Sequence, residues 1–147
     1  RPLGAVTEIN LHAPALLPSD YCGDVHERLT IYKRLSNCEA GDDIDALREE
    51  LIDRFGKLPD ATRALLDVHR LRIASKPYGI QKIDASDEAI VIQFEKNAPV
   101  DPAKVIALIQ RNRHVKLAGQ DKLRMTQSAA TAEERAKLIR QLLRELA

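Results

Sequence analysis

At 147 residues the chain suits one domain with one substantial core, and 44% hydrophobic with 31% charged residues is ordinary for a folded protein. A formal net charge of +1 excludes a generally polybasic binder of nucleic acid or membrane and leaves room only for a local patch. No run reaches membrane-spanning length, no signal peptide is visible, and Cys22 and Cys38 lack metal-ligand spacing, so a reduced cytosolic setting is the simpler expectation.

The chain starts at Arg1 without a methionine, as expected of a piece of a longer protein or a processed chain. Residues 1–18 read as an extended lead-in packed on a single domain formed by residues 19–147. Within the lead-in, Glu8–Leu11 is a weak strand, and Leu16-Leu17 between Pro14 and Pro18 should lie against an apolar surface. Gly23–Leu35 predicts a first helix with Val25, Leu29, Tyr32 and Leu35 inward and Glu27, Lys33 and Arg34 outward. His26 then falls at the surface or an edge. Asn37–Asp43 is read as a loop.

The clearest stretch is Ile44–Asp60. Successive residues 100° apart place Ile44, Leu47, Leu51 and Phe55 on one side of a helix, with Ala46, Glu49, Glu50 and Asp53 opposite. Asp42 or Asp43 can cap its start, and Gly56 can close its end. The acidic side is either a solvated face or a surface that accepts arginines of a partner. Asp60 to about Lys76 predicts a third helix with Leu65, Leu66, Val68, Leu71 and Ile73 buried, stopped by Pro77 and Gly79.

The period then changes. Ile80–Ile83 and Ile90–Phe94 predict two strands of a hairpin turning through Ala85–Ala89. Asp101-Pro102 opens a helix to about Asn112 that carries Val105, Ile106, Leu108 and Ile109. Val115–Leu117 and Leu123–Met125 are short strands around Gly119-Gln120-Asp121 that can pair and extend the hairpin. Thr131 and Glu134 form a capping box for a last helix, with Leu138, Ile139, Leu142, Leu143 and Leu146 inward and Arg135, Lys137, Arg140 and Arg144 giving basic character. The expected class is α+β: about five helices packed with a small, mainly antiparallel sheet.

Catalytic patterns are missing. There is no GxxxxGK[ST] loop, no GxGxxG turn, no HExxH and no GxSxG. Cys22 and His26 are four apart but no third metal ligand accompanies them. His69 reads as a structural histidine within an amphipathic helix. The chain is therefore expected to be no enzyme and to hold no metal or cofactor. A nucleic-acid interface using Arg140 and Arg144, with Arg111, Arg113, Lys116, Lys122 and Arg124 nearby, is the alternative, although no aromatic stacking platform accompanies it.

LREELIDRFGKLPD closely resembles a stretch in the C-terminal domain of the bacterial transcription-repair coupling factor family. So do GAVTEINLHAPALLP, DVHERLTIYKRL, KPYGIQKID and the VDP before the fourth helix, so that the resemblance covers essentially the whole chain. Gly23 stands where relatives often carry proline. The resemblance implies a non-catalytic regulatory domain of a bacterial cytoplasmic, ATP- and magnesium-dependent translocase on duplex DNA. That translocase displaces stalled RNA polymerase and recruits excision repair, with its motor outside this segment. It further implies that the domain docks on a UvrB-like module of the same protein and masks the UvrA-binding surface. The docking acids fall on Glu50 and Asp53, with Glu49 as a further candidate. Nothing in the resemblance points to a membrane partner.

Overall fold

The computed structural model describes residues 6–147; Arg1–Ala5 of the lead-in lie outside the described residues. Five α-helices and five strands follow the order β1 Glu8–Asn10, α1 Val25–Asn37, α2 Gly41–Phe55, α3 Asp60–Ser75, β2 Ile80–Ala85, β3 Ala89–Phe94, α4 Pro102–Arg111, β4 Val115–Leu117, β5 Lys122–Thr126 and α5 Ala132–Leu146. The fold is α+β, as the pattern of periods predicts.

The sheet order is β1-β2-β3-β5-β4. β1 runs parallel to β2, with Ile9 opposite Ile83; every other pairing is antiparallel. The expected hairpin forms, and β4 and β5 pair with each other and extend it through β5. Alternation divides the sheet into a dry and a wet face. Ile83, Ala85, Ile90, Ile92, Phe94, Val115, Leu123 and Met125 point into a core completed by Leu71 of α3, Leu108 of α4, and Ile139, Leu142, Leu143 and Leu146 of α5.

A second core lies beneath α1 and α2. It joins Leu17, Cys22, Ile31, Leu35, Cys38, Ile44, Leu47, Leu51 and Leu58 to Leu65 and Leu66 of α3. α3 thus serves both cores, Leu65, Leu66 and Ile73 facing this one and Val68 and Leu71 the core under the sheet. Both cysteines are buried there as free thiols, and burial raises the Cys38 thiol above its usual range.

α2 begins at Gly41, earlier than its periodic stripe suggests. The Asp43 carboxylate reaches back to the N–H groups of Glu39 and Ala40, both at 3.2 Å, so it caps from inside the first turn. At the other end Gly56, at φ 90°, donates its N–H to the Ile52 carbonyl at 2.9 Å. A second glycine has less freedom. Gly79 ends the turn after α3 at φ 65°, and a Cβ there would lie 2.6 Å from Pro99 Cδ.

Three expectations need correction. On α1 the inward residues are Ile31 and Leu35, whereas Val25 and Leu29 are 60% and 61% exposed. The helix is turned because the lead-in fixes its contact side. The Tyr32 hydroxyl accepts from the Leu17 N–H at 2.8 Å, and Arg28 donates to the Cys22 carbonyl at 2.6 Å. Of the leucine pair in the lead-in only Leu17 is buried; Leu16 is held at the surface by its own backbone. Its N–H bonds the Ala61 carbonyl and its carbonyl accepts from Thr62 Oγ1, each at 3.1 Å.

The third correction is Arg135. It is 6% exposed, not part of a solvated basic face. Its guanidinium donates to the carbonyls of Ala129 at 3.0 Å, Leu11 at 2.8 Å, Ala130 at 3.3 Å and His12 at 3.4 Å. It therefore ties the first turn of α5 to the end of β1. A buried charge is tolerable only with such a full set of acceptors.

Candidate functional site on the second helix

The apolar stripe of α2 fixes what its other side can do. Ile44, Leu47 and Leu51 are buried, so Glu49 and Asp53 must face solvent. Glu50 lies between these sides, on the flank turned toward α1, and is half-buried. Tyr21 clamps the end of the helix. Its hydroxyl sits 2.8 Å from the Gly56 carbonyl and 3.2 Å from that of Leu51, and its ring tilts against Phe55 at 5.6 Å. The position of the acids is thus set by packing beneath them.

The acids differ in their surroundings. Arg34 of α1 forms a two-pronged bond with Glu50, at 2.6 and 2.7 Å. Arg54 adds a 3.2 Å contact to Glu50 and also pairs with Glu27 of α1, while its guanidinium lies 4.8 Å from the Phe55 ring centre. The seam between α1 and α2 is therefore a chain of alternating charges: Glu27, Arg54, Glu50, Arg34. The hydrogen bond from Arg34 holds the Glu50 carboxyl below its ordinary pKa. Glu49 pairs with its neighbour Arg48 at 2.9 Å. Asp53 has no ion pair among the described residues. Sequence spacing places Glu49 and Asp53 outward, as they are; it puts Glu50 with them, whereas Glu50 sits on the α1 flank, held by Arg34.

The other candidate residues are scattered. Arg140 lies 3.6 Å from Asp67, joining α5 to α3, and burial raises the Asp67 carboxyl above its usual range. Arg144 is exposed, and Arg111 reaches Glu145 at 3.5 Å. Lys116, Lys122 and Arg124 share the wet face of the sheet, with Lys116 opposite Arg124. His69 accepts from Arg72 Nε at 3.3 Å, and burial drives its pKa down to about 4. It lines neither the cleft of about 670 Å³ described below nor a second one of about 400 Å³. His26 is exposed. Among the described residues no group of three or more His, Cys, Asp or Glu is placed to hold a metal.

The larger cleft, about 670 Å³, lies between the two cores. It is lined by Arg48, Arg63, Arg70 and Arg140 together with Asp60, Asp67 and Glu133. Arg63 pairs with Asp60, and Arg70 reaches Asp45 at 2.6 Å, so its charges are largely answered within the chain.

Fold and site together define an α+β domain with an acidic outer helix face. Among families of known proteins, the model described as the TRCF domain matches residues 11–105. The chain belongs to the bacterial transcription-repair coupling factor family and is its C-terminal domain. It is 39% identical over 141 residues to the transcription-repair-coupling factor of Escherichia coli K12, and 41% identical over 141 residues to that of Haemophilus influenzae. In each case the match covers 95% of this chain and 12% of the relative, so the chain spans a small part of either protein. A crystal structure of the C-terminal domain of transcription-repair coupling factor is similar with a TM-score of 0.77 and 25% identity, covering 97% of this chain and 94% of that one.

Proposed function

We propose that this domain is a docking and autoinhibitory element of a larger protein that couples transcription to nucleotide excision repair. The parent is an ATP- and magnesium-dependent translocase on duplex DNA in the bacterial cytoplasm, and it displaces stalled RNA polymerase. Its motor lies outside this chain. At rest the domain sits on the UvrB-like module of the same protein, with Glu50, Asp53 and Glu49 facing arginines of that module, and covers the surface that UvrA would bind. The observation that carries this reading is the division of α2: a buried apolar side that fixes the helix, and an outward side where Asp53 stands without a counter-ion among the described residues. Exposed pairs of this kind contribute about 0.2–1 kcal/mol each, which suits a latch that opens.

The test is UvrA binding by the full-length protein carrying Glu50→Arg and Asp53→Arg. Capture of UvrA should tighten while the melting temperature of the domain stays close to wild type. Unchanged capture by a folded variant would remove the latch.

A second reading, contact with a nucleic-acid backbone, is favoured by the sheet and not by α5. Lys116, Lys122 and Arg124 stand on an uncovered face without an internal carboxylate partner among the described residues, whereas Arg140 already meets Asp67. That reading expects salt-dependent retention of duplex DNA by the domain. No retention at low salt would end it.

A further inference from the structure

The three candidate docking acids of α2 are not equivalent, and arginines of this same chain make them so. A carboxylate offers about four lone-pair positions. On Glu50, Oε1 accepts from Arg34 Nη2, while Oε2 accepts from Arg34 Nη1 and Arg54 Nη1. One position is left. An incoming guanidinium that binds in its preferred fork needs both oxygens. It can form that fork on Glu50 only after Arg34 has left.

We propose that Arg34, steadied in its place by the Glu27–Arg54–Glu50 chain, is an internal competitor for the docking acid Glu50, and that docking exchanges one guanidinium for another. This deepens the docking reading above and rests on it. The exchange is feasible without unfolding, because the Arg34 and Glu50 side chains are 45% and 35% exposed. Bonds to Glu50 are broken and remade in similar number, so Glu50 adds little net attraction. Asp53, without an ion pair among the described residues and at the centre of the outward face, supplies most of it. Arg34 therefore sets how readily the latch opens, and it also keeps Glu50 oriented while the latch is open.

Competition predicts an inverted outcome: weakening a bond inside the domain strengthens its docking. In the full-length protein, docking is read inversely as affinity for UvrA. Arg34→Lys keeps the charge but loses the fork, and should weaken UvrA capture; Arg34→Ala should do so more, by roughly two- to fivefold for an exposed pair. Lys33→Ala removes the same charge from an exposed neighbour and should have the smaller effect. In a Glu50→Gln background, Arg34→Ala should have no further effect beyond that of Lys33→Ala. Asp53→Asn is the separate control for docking itself and should strengthen capture. If Asp53→Asn changes nothing, the docking reading fails. If Asp53→Asn strengthens capture but Arg34→Lys leaves it unchanged or strengthens it, docking stands and competition is overturned. Competition is equally overturned if Arg34→Ala acts as strongly in the Glu50→Gln background as in wild type. Circular-dichroism melting of each variant confirms that the helices are intact.

Discussion

Two seams between elements of this domain are each closed by an arginine. At the seam between β1 and α5, Arg135 is almost fully buried and donates to four backbone carbonyls. At the seam between α1 and α2, Arg34 is 45% exposed and grips one carboxylate. The bonds are similar in length, and the Arg34 fork is the shorter. Their worth should nevertheless differ severalfold, because water competes freely at one seam and is excluded from the other. The first seam is structural and the second can be exchanged.

The largest expected effect is at the buried seam. Arg135→Ala strands the Leu11 and Ala129 carbonyls away from water and removes a packed side chain. It should cost about 3 kcal/mol, read as a lower urea midpoint with unchanged slope. Loss of less than about 1 kcal/mol would mean that water enters to replace the guanidinium, and the contrast between the seams would collapse.

His69 tests the middle of the range, since it is only partly buried. Burial lowers its folded pKa from 6.5 to about 4, so the unfolded chain takes up a proton first on acidification. The neutral ring is tolerated above pH 6.5, and stability should fall as pH drops from there toward 4. The fall should be on the order of 1–2 kcal/mol after allowing for partial solvent access. Asp67, whose carboxyl is raised by burial, opposes this at the acid end. The contribution of His69 is isolated by comparing pH–stability curves of wild type and His69→Gln; parallel curves between pH 6.5 and 4.5 would show that burial of the ring carries no penalty.

The same division by burial explains what the sequence discloses. α2 was legible because its apolar residues form one stripe and its ends carry their own signals. α1 was not, because Val25–Leu29 and Ile31–Leu35 offer two adjacent stripes. The choice between them is made by Leu17 and Cys22, which no helical period contains. Arg135 had a signal that chemistry obscured: it stands at the spacing of Ile139, Leu142 and Leu146, on the inward stripe. The parallel pairing of β1 with β2 joins residues more than seventy positions apart, beyond any local pattern. Glu49 and Asp53 were legible as outward positions on α2, whereas Glu50, read with them, lies on the flank toward α1. That Glu50 is held by Arg34 depends on how α1 lies against α2, and only the assembled fold supplies it.

The smallest effect is the most discriminating. Arg34→Ala should lower the stability of the domain by only about 0.5 kcal/mol, because both partners are more than a third exposed and two long side chains are ordered to make the pair. The loss should shrink further in 0.5 M salt, where the Debye length is shorter than that at physiological ionic strength. Acidification should erase it too. The Glu50 carboxyl is lowered by its hydrogen bond from Arg34, so the contribution is present above the ordinary carboxylate pKa and lost as pH falls through the folded value. A loss of several kcal/mol that persists in high salt would make the α1–α2 seam as structural as that of Arg135. Glu50 could not then change partners without unfolding its own helix pair, and the exchange would be energetically closed. A small, screened loss leaves the acid firmly placed and its counter-ion replaceable, which is the condition for a latch that closes and reopens.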